Sequence, residues 1–316
     1  STPKPSSAAS DVYKRQDNSM SPSAEIRVEK VSNRWLRLMR LDRPIGVYLL
    51  LWPTLWALWF AGSGVPSVKN LVIFLAGLIV MRAAGCVIND YADRHVDGLV
   101  ERTKTRPLPA GEIKPNQALL LFFFLIVIAL ALVLMTNLLT ILLSVGGLLI
   151  TCLYPFMKRF TNLPQLGLGV AWAWVVPMAF AAETKELPEE LWIIFFAIVT
   201  WTIAFDTYYA MVDRDDDLKI GVKSTAVLFG RYDHLAIISL QTSFLVLLIF
   251  AGLLFDRGLI YFVSLAIAAS FFVNQYLATR DKEREACFAA FLNNHRVGMV
   301  IFLGIATDYL LSLIHI

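Results

Sequence analysis

Cysteine and histidine are scarce in this chain of 316 residues, which has three of the first and four of the second. Cys86, Cys152 and Cys287 fall singly inside apolar segments, which excludes a disulfide framework and a paired-cysteine zinc site and leaves them as packing thiols. The histidines show no ligand spacing, and both HExxH and the glycine-rich Walker loop are absent. A calcium loop of the EF-hand type also fails, because the sixth position counted from Asp213, where that loop needs glycine, is Leu218. Charge is short as well: 17% of residues, against roughly 25% in an average soluble domain. Lysine plus arginine exceed aspartate plus glutamate by 28 to 25, too small a surplus to mark a nucleic-acid surface. A soluble core, a disordered chain and a nucleic-acid module are all excluded.

What the chain has instead is long uncharged stretches. Residues 44–68, 115–157, 160–182, 235–255 and 259–279 carry no charge, mean hydropathy is +0.63, and about 20 apolar residues suffice to cross a bilayer. Breaks within these runs predict about nine helices, near 44–63, 69–93, 116–135, 138–156, 164–182, 190–212, 234–255, 259–278 and 288–309. The fold class is therefore all-α and polytopic, because backbone groups in lipid must bond within their own segment. Cations alternate between the connecting segments. Arg34, Arg37, Arg40 and Arg43 precede the first span; Arg102, Lys104 and Arg106, then Lys158 and Arg159, then Arg214, Lys219, Lys223 and Arg231, then Arg280, Lys282 and Arg284 occupy every second loop. The positive-inside rule puts these segments and the N-terminus in the cytoplasm.

The two ends read differently from the rest. One choice of codons for DVYKRQ (residues 11–16) is the reverse complement of one choice for LSLIHI (residues 311–316). A single inverted DNA element at both ends resembles translated sequencing-library transposon ends, so residues 1–19 and 311–316 are set apart from a membrane domain spanning 20–310, with Met20 the expected start.

Two acidic clusters stand out at the boundaries of the second and sixth spans. In Asn89-Asp90-Tyr91-Ala92-Asp93-Arg94-His95-Val96-Asp97, helical spacing puts Asn89, Asp93 and Asp97 on one face with Asp90 beside them. In the stretch from Asp206 to Asp217, the same spacing aligns Asp206, Tyr209, Asp213 and Asp217. A carboxylate at the centre of a membrane helix costs roughly 2.5–3.5 kcal/mol on insertion scales, so stacked acids near the boundary call for a compensating cation. Oxygen ligands of this kind suit a hard divalent ion such as Mg2+, which usually keeps waters and shares substrate phosphates. From the residues alone, a transporter, a metal-dependent phosphotransferase and a structural membrane subunit stay open. The first would more often show acids at mid-membrane with internal repeats, the second a single continuous acidic run, and the third leaves both clusters unexplained.

These clusters resemble the NDxxDxxxD and DxxxD motifs of the UbiA-type intramembrane prenyltransferases, the first at 89–97 and the second at 213–217. The chain is most similar to the branch of that family acting on 4-hydroxybenzoate, through RLDRPIG (40–46), LLLWPTLWALW (49–59), MRAAGCVINDYADR (81–94), TRPLPAG (105–111), YPFMKRFTNLPQ (154–165) and YAMVDRDDDLKIGVKSTA (209–226). The resemblance implies a bundle of about nine helices around a central cavity for prenyl diphosphate and metal, in a bacterial inner membrane. It implies transfer of a polyprenyl chain from its diphosphate to the ring carbon ortho to the hydroxyl of 4-hydroxybenzoate, a step of ubiquinone biosynthesis. Asp90, Asp93, Asp213 and Asp217 would act in catalysis, and together with Asn89 and Asp97 would hold Mg2+. Arg43, Arg82, Asn89, Lys158, Arg159 and Tyr209 are the candidate substrate-binding residues, Arg43 and Arg82 for diphosphate and Lys158 and Arg159 for diphosphate or the ring carboxylate. Lys104 and Arg106 read as anchors rather than ligands. Trp52, Trp56 and Trp59 recur at helical spacing and either line the prenyl channel or pack in the bundle.

Overall fold

The computed structural model describes residues 33–95, 97–99 and 103–314; the leader assigned to residues 1–19 lies outside them. Arg34–Ile316 forms one compact unit. Its elements in chain order are α1 (Arg34–Leu38), α2 (Ile45–Ala61), α3 (Val68–Asp93), a 3-10 turn (Asp97–Leu99), α4 (Pro115–Val133), α5 (Leu138–Met157), α6 (Pro164–Ala173), α7 (Val175–Thr184), α8 (Leu191–Ile220), α9 (Thr225–Phe229), a second 3-10 turn (Gly230–Tyr232), α10 (Asp233–Leu254), α11 (Leu259–Ala278) and α12 (Arg284–Ile314). Eight segments of the described chain are long and apolar enough to cross a membrane, with α6 and α7 counted as one and α9 and α10 as one. The 17-residue α2 is shorter, but at 1.5 Å per residue it still reaches about 26 Å, close to the apolar thickness of a bilayer. The nine expected spans are thus present.

Local chemistry sets the helix ends. The side chains of Ser67 and Asn137 accept from the backbone N–H of Asn70 and Thr140, capping α3 and α5, and proline opens α4 and α6. The fifth span departs from expectation by breaking between Ala173 and Val175. Pro177 accounts for this, because a proline removes the bond to the carbonyl four residues earlier, here Ala173, and crowds it. The Trp174 indole at the break donates to the Leu143 carbonyl at 2.8 Å. It lies against Gly146 and Gly147, where an added Cβ would come within 2.9 and 2.8 Å of the ring. The sixth span also differs: α8 continues past residue 212 to Ile220, where Gly221 closes it in the left-handed conformation at φ 73°. Its 30 residues measure about 45 Å, so the DxxxD stretch rides on helix that outruns the roughly 30 Å apolar layer.

An aromatic core joins α2, α8, α10 and α12. Trp56 and Trp201 are fully buried with ring centroids 5.3 Å apart, and Trp201 stacks on Phe244 at 5.7 Å. Their indole N–H groups donate to the Gly298 carbonyl and to Asn294 Oδ1. Trp52 and Trp59 pack on Phe302 of α12. The three α2 tryptophans therefore serve packing, and none borders the cavity described next. On the outside of α4 and α5, Leu120, Phe123, Val127, Leu142, Leu149 and Leu153 are exposed, the face such a bundle offers to lipid tails.

Candidate functional site

A cavity of about 780 Å3 runs between α2, α3, α4, α5, α6, α7 and α8, and Asp97, Thr103, Thr105, Arg106 and Pro107 also border it. Both acidic clusters border it: Asn89, Asp90, Asp93 and Asp97 from α3 and the 3-10 turn after it, Asp206, Asp213 and Asp217 from α8. Its deeper walls are apolar, formed by residues such as Ile126, Leu130, Leu148, Val175 and Met178. Two helices far apart in sequence thus bring their carboxylates to one space.

The first cluster is held by cations from three different segments. Asp90, 1% exposed, accepts from Arg40 at 2.6 Å and from Arg106 at 3.1 Å. The same Arg106 nitrogen reaches Asp97 Oδ2 at 2.6 Å, and Lys158 reaches Asp93 Oδ2 at 2.5 Å. Burial pushes the Asp97 carboxyl above the usual carboxylate range, with Arg106 acting against that shift. Arg40 occupies a turn with φ 53° between α1 and α2, which aims it inward. Arg37 on α1 pairs with Glu112 at 3.0 Å and ties that turn to the segment carrying Arg106.

The expected site residues are not all placed alike. Asn89, Asp90, Asp93, Asp97, Asp213, Asp217, Arg82, Lys158 and Tyr209 line the cavity. Arg82 lies beside Cys86, its Nη1 2.6 Å from the sulfur, and directly under Gly46, where a Cβ would collide with the guanidinium. Tyr209 packs on Phe291 at 4.7 Å. Arg43 sits at the mouth, with 81% of its side chain exposed. Arg159 does not border the cavity; it donates to the Ala92 carbonyl at 2.6 Å and lies over Phe156. Asp97 falls outside α3, which ends at Asp93, so it reaches the cavity from the 3-10 turn rather than along the helix face. Sequence reasoning underrated Arg40 and Arg106. The available signal was the need of several closely spaced acids for internal cations.

Among the described residues, no three aspartate, glutamate, histidine or cysteine side chains already gather closely enough to hold a metal ion. The donor set nevertheless suits a hard cation. Its atoms are carboxylate and amide oxygens, and Asp93 Oδ1 is buried with no hydrogen-bond partner among the described residues, a costly state that a bound cation would relieve.

The chain belongs to the UbiA prenyltransferase family, whose model matches residues 50–302. It is 58% identical over 277 residues to the 4-hydroxybenzoate octaprenyltransferase of Ectopseudomonas mendocina, covering 88% of this chain and 94% of that one. It is 55% identical over 291 residues to the enzyme of the same name from Saccharophagus degradans, covering 92% and 97%. Among solved structures it is similar to a UbiA homologue from Aeropyrum pernix K1 in its apo form, with TM-score 0.74, 26% identity and coverage of 83% and 97%. A UbiA homologue from Archaeoglobus fulgidus bound to GPP and Mg2+ shares the fold at TM-score 0.64 and 20% identity, covering 90% and 100%.

The ion pair between Lys158 and Asp93 yields a stability test. Lys158→Met leaves a carboxylate 4% exposed without its cation, a loss of about 3 kcal/mol for a buried pair broken on one side. The thermal midpoint in detergent without divalent ions should fall, and adding Asp93→Asn to the same chain should restore much of it. A double variant no more stable than Lys158→Met would show that the pair is not the source.

Proposed function

We propose that this chain transfers a polyprenyl group from polyprenyl diphosphate to the ring carbon ortho to the hydroxyl of 4-hydroxybenzoate and releases diphosphate, a step of ubiquinone biosynthesis. The observation that carries this reading is the meeting of the NDxxDxxxD and DxxxD carboxylates across one cavity with a charged mouth and apolar depth. The near full-length identity to enzymes named 4-hydroxybenzoate octaprenyltransferase supports the acceptor.

The chemical difficulty is ionising an allylic carbon–oxygen bond while diphosphate departs. Mg2+, bound with diphosphate, would supply Lewis-acid neutralisation of the charge growing on the leaving group. Asn89, Asp90, Asp93, Asp213 and Asp217 would hold it, with Asp97 at the margin. Arg40, Arg106 and Lys158 stand at those carboxylates and offer donors to the diphosphate oxygens. The apolar walls receive the isoprenoid tail and keep water from the allylic cation. Arg82, bordering the cavity beside Gly46 and Cys86, is the candidate for the ring carboxylate. The phenol directs attack to its ortho carbon, and loss of the ring proton restores aromaticity.

Metal dependence and joint action of the clusters are checked together. Chelation should abolish product formation from polyprenyl diphosphate and 4-hydroxybenzoate. Asp93→Asn and Asp213→Asn should each remove most turnover, and the double variant should cost far less than the sum of the two losses, since one metal site is already gone. Full activity after chelation, or in either single variant, would contradict the assignment.

The acceptor is checked by comparing 4-hydroxybenzoate with 4-hydroxybenzamide, which matches it in size but lacks the charge. Loss of a charge-assisted hydrogen bond costs roughly 1.5–3 kcal/mol, so kcat/KM for the amide should be about 10- to 150-fold lower. Equal use of both would point to a different aromatic acceptor within the family.

We place both clusters at the cytoplasmic face of a bacterial inner membrane, on the alternation of basic loops. Cysteines introduced by Glu101→Cys and Lys219→Cys should resist an impermeant thiol reagent added outside intact cells and react once the cells are opened. Labelling from outside would invert the topology.

A further inference from the structure

Apolar packing stops short of the second aspartate motif. The buried residues of α8 run from Leu191 to Met211, and beyond them the sole buried residue of the helix is Asp217; Leu218 is 60% exposed. The last turns, which carry Asp213 and Asp217 to the cavity, therefore depend on something other than a hydrophobic face for their depth and rotation. The three residues between those aspartates do not border the cavity. Each is engaged behind it. Arg214 donates to the carbonyls of Ala226 at 3.1 Å and Gly230 at 3.2 Å, and pairs with Asp233. Asp215 and Asp216 face Arg284 at 3.2 and 3.8 Å.

Asp233 is the centre of this clasp. It begins α10, is fully buried, and takes two cations from separate segments: Arg214 on Oδ2 and Lys282, at 2.7 Å, on Oδ1. The His234 backbone N–H also donates to Oδ1 at 2.6 Å. Lys282 stands in a turn with φ 56° between α11 and α12, and it adds a 3.4 Å bond to the Arg231 carbonyl. One carboxylate thus joins the end of α8, the start of α10 and the turn before α12. Alongside it, Thr207 of α8 bonds Thr225 at 2.8 Å, and the Thr225 N–H donates to Gln165, whose side chain borders the cavity.

We propose that Asp233 is a positioning residue for the second aspartate motif: by fixing Arg214 it sets how far Asp213 and Asp217 stand from the first cluster across the cavity. Asp233 itself does not border the cavity; it acts through Arg214 and the helix. The inference rests on the Mg2+–diphosphate reading of the site given above. Groups that orient metal ligands tune metal affinity, so loss of Asp233 should show in metal binding before it shows in acceptor binding.

The test uses the full-length protein in detergent, with Asp233→Asn, Asp233→Glu and Lys282→Gln beside the unmodified chain. Two readouts run in parallel: the Mg2+ concentration for half-maximal prenyl transfer, and Mn2+ binding in the presence of inorganic diphosphate, followed by electron paramagnetic resonance. Asp233→Asn should raise the Mg2+ midpoint and weaken Mn2+ binding about tenfold, at the low end of what loss of a ligand-orienting partner costs. KM for 4-hydroxybenzoate should stay within roughly twofold. Asp233→Glu should recover part of the loss, and Lys282→Gln, which removes one of two cations, should shift both midpoints about threefold in the same direction. A merely structural residue would lower the thermal midpoint and leave both metal curves where they were; that result overturns the proposal. Where Asp233→Asn does not fold, Lys282→Gln decides, since unchanged metal curves there overturn it too. If the unmodified protein prenylates no 4-hydroxybenzoate, the functional reading fails by itself, while Mn2+ binding still decides the role of Asp233.

Discussion

Everything distinctive in this bundle follows from placing carboxylates where they are poorly hydrated. Asp90, Asp93 and Asp97 are each at most 5% exposed, and a charge so placed must be met by an opposite charge or by a metal. The chain supplies Arg40 from the turn before α2, Arg106 from the segment after the 3-10 turn and Lys158 from the end of α5. Each comes from a different part of the sequence, so the charge network also fixes how those segments meet. Such a network suits a site that must accept a multiply charged diphosphate. On the proposed reading, the same cations that neutralise the acids would turn to phosphate oxygens once the acids are given to a divalent ion.

The rest of the architecture separates that polar layer from an apolar one. The aromatic core of Trp56, Trp201 and Phe244 holds α2, α8, α10 and α12 together on one side of the cavity. Facing it, α4 and α5 present large hydrophobic residues to the outside and apolar walls to the cavity. An isoprenoid chain and its diphosphate have the same division, which is why the cavity suits the proposed donor. The length of α8 links the layers, since one helix carries Trp201 in the core and Asp213 and Asp217 at the charged mouth.

Much of this was legible before any coordinates, for physical reasons that differ from element to element. The spans were visible because a helix in lipid must be long and uncharged. The two aspartate motifs were visible because so many carboxylates at helical spacing are too costly without a purpose. Their convergence on one cavity was implied by family resemblance and is a fact of tertiary packing. Arg40 was hidden because an arginine just before a first span is also what membrane anchoring demands; only its left-handed turn aims it at Asp90. Arg159 was misleading for the converse reason: it adjoins Lys158 in sequence, yet neighbours at the end of a helix point in different directions, and its partner is the Ala92 carbonyl. The break at Trp174 was not read, one span being expected over 164–182; it follows from Pro177, which has no N–H to give the carbonyl of Ala173 four residues earlier. The clasp on Asp233 joins residues 68 positions apart at Arg214 and Lys282, a separation that no local pattern reports.

The central claim is that the two aspartate motifs act as opposite jaws of one metal–diphosphate site. Its most direct measurement is a structure of the protein soaked with Mn2+ and a prenyl thiodiphosphate that cannot ionise, with the metal located by its anomalous signal. The account predicts manganese and diphosphate together between the two helices, with oxygens of Asp90 or Asp93 on one side and of Asp213 or Asp217 on the other. Manganese bound to one motif alone, or diphosphate seated away from both, would contradict it.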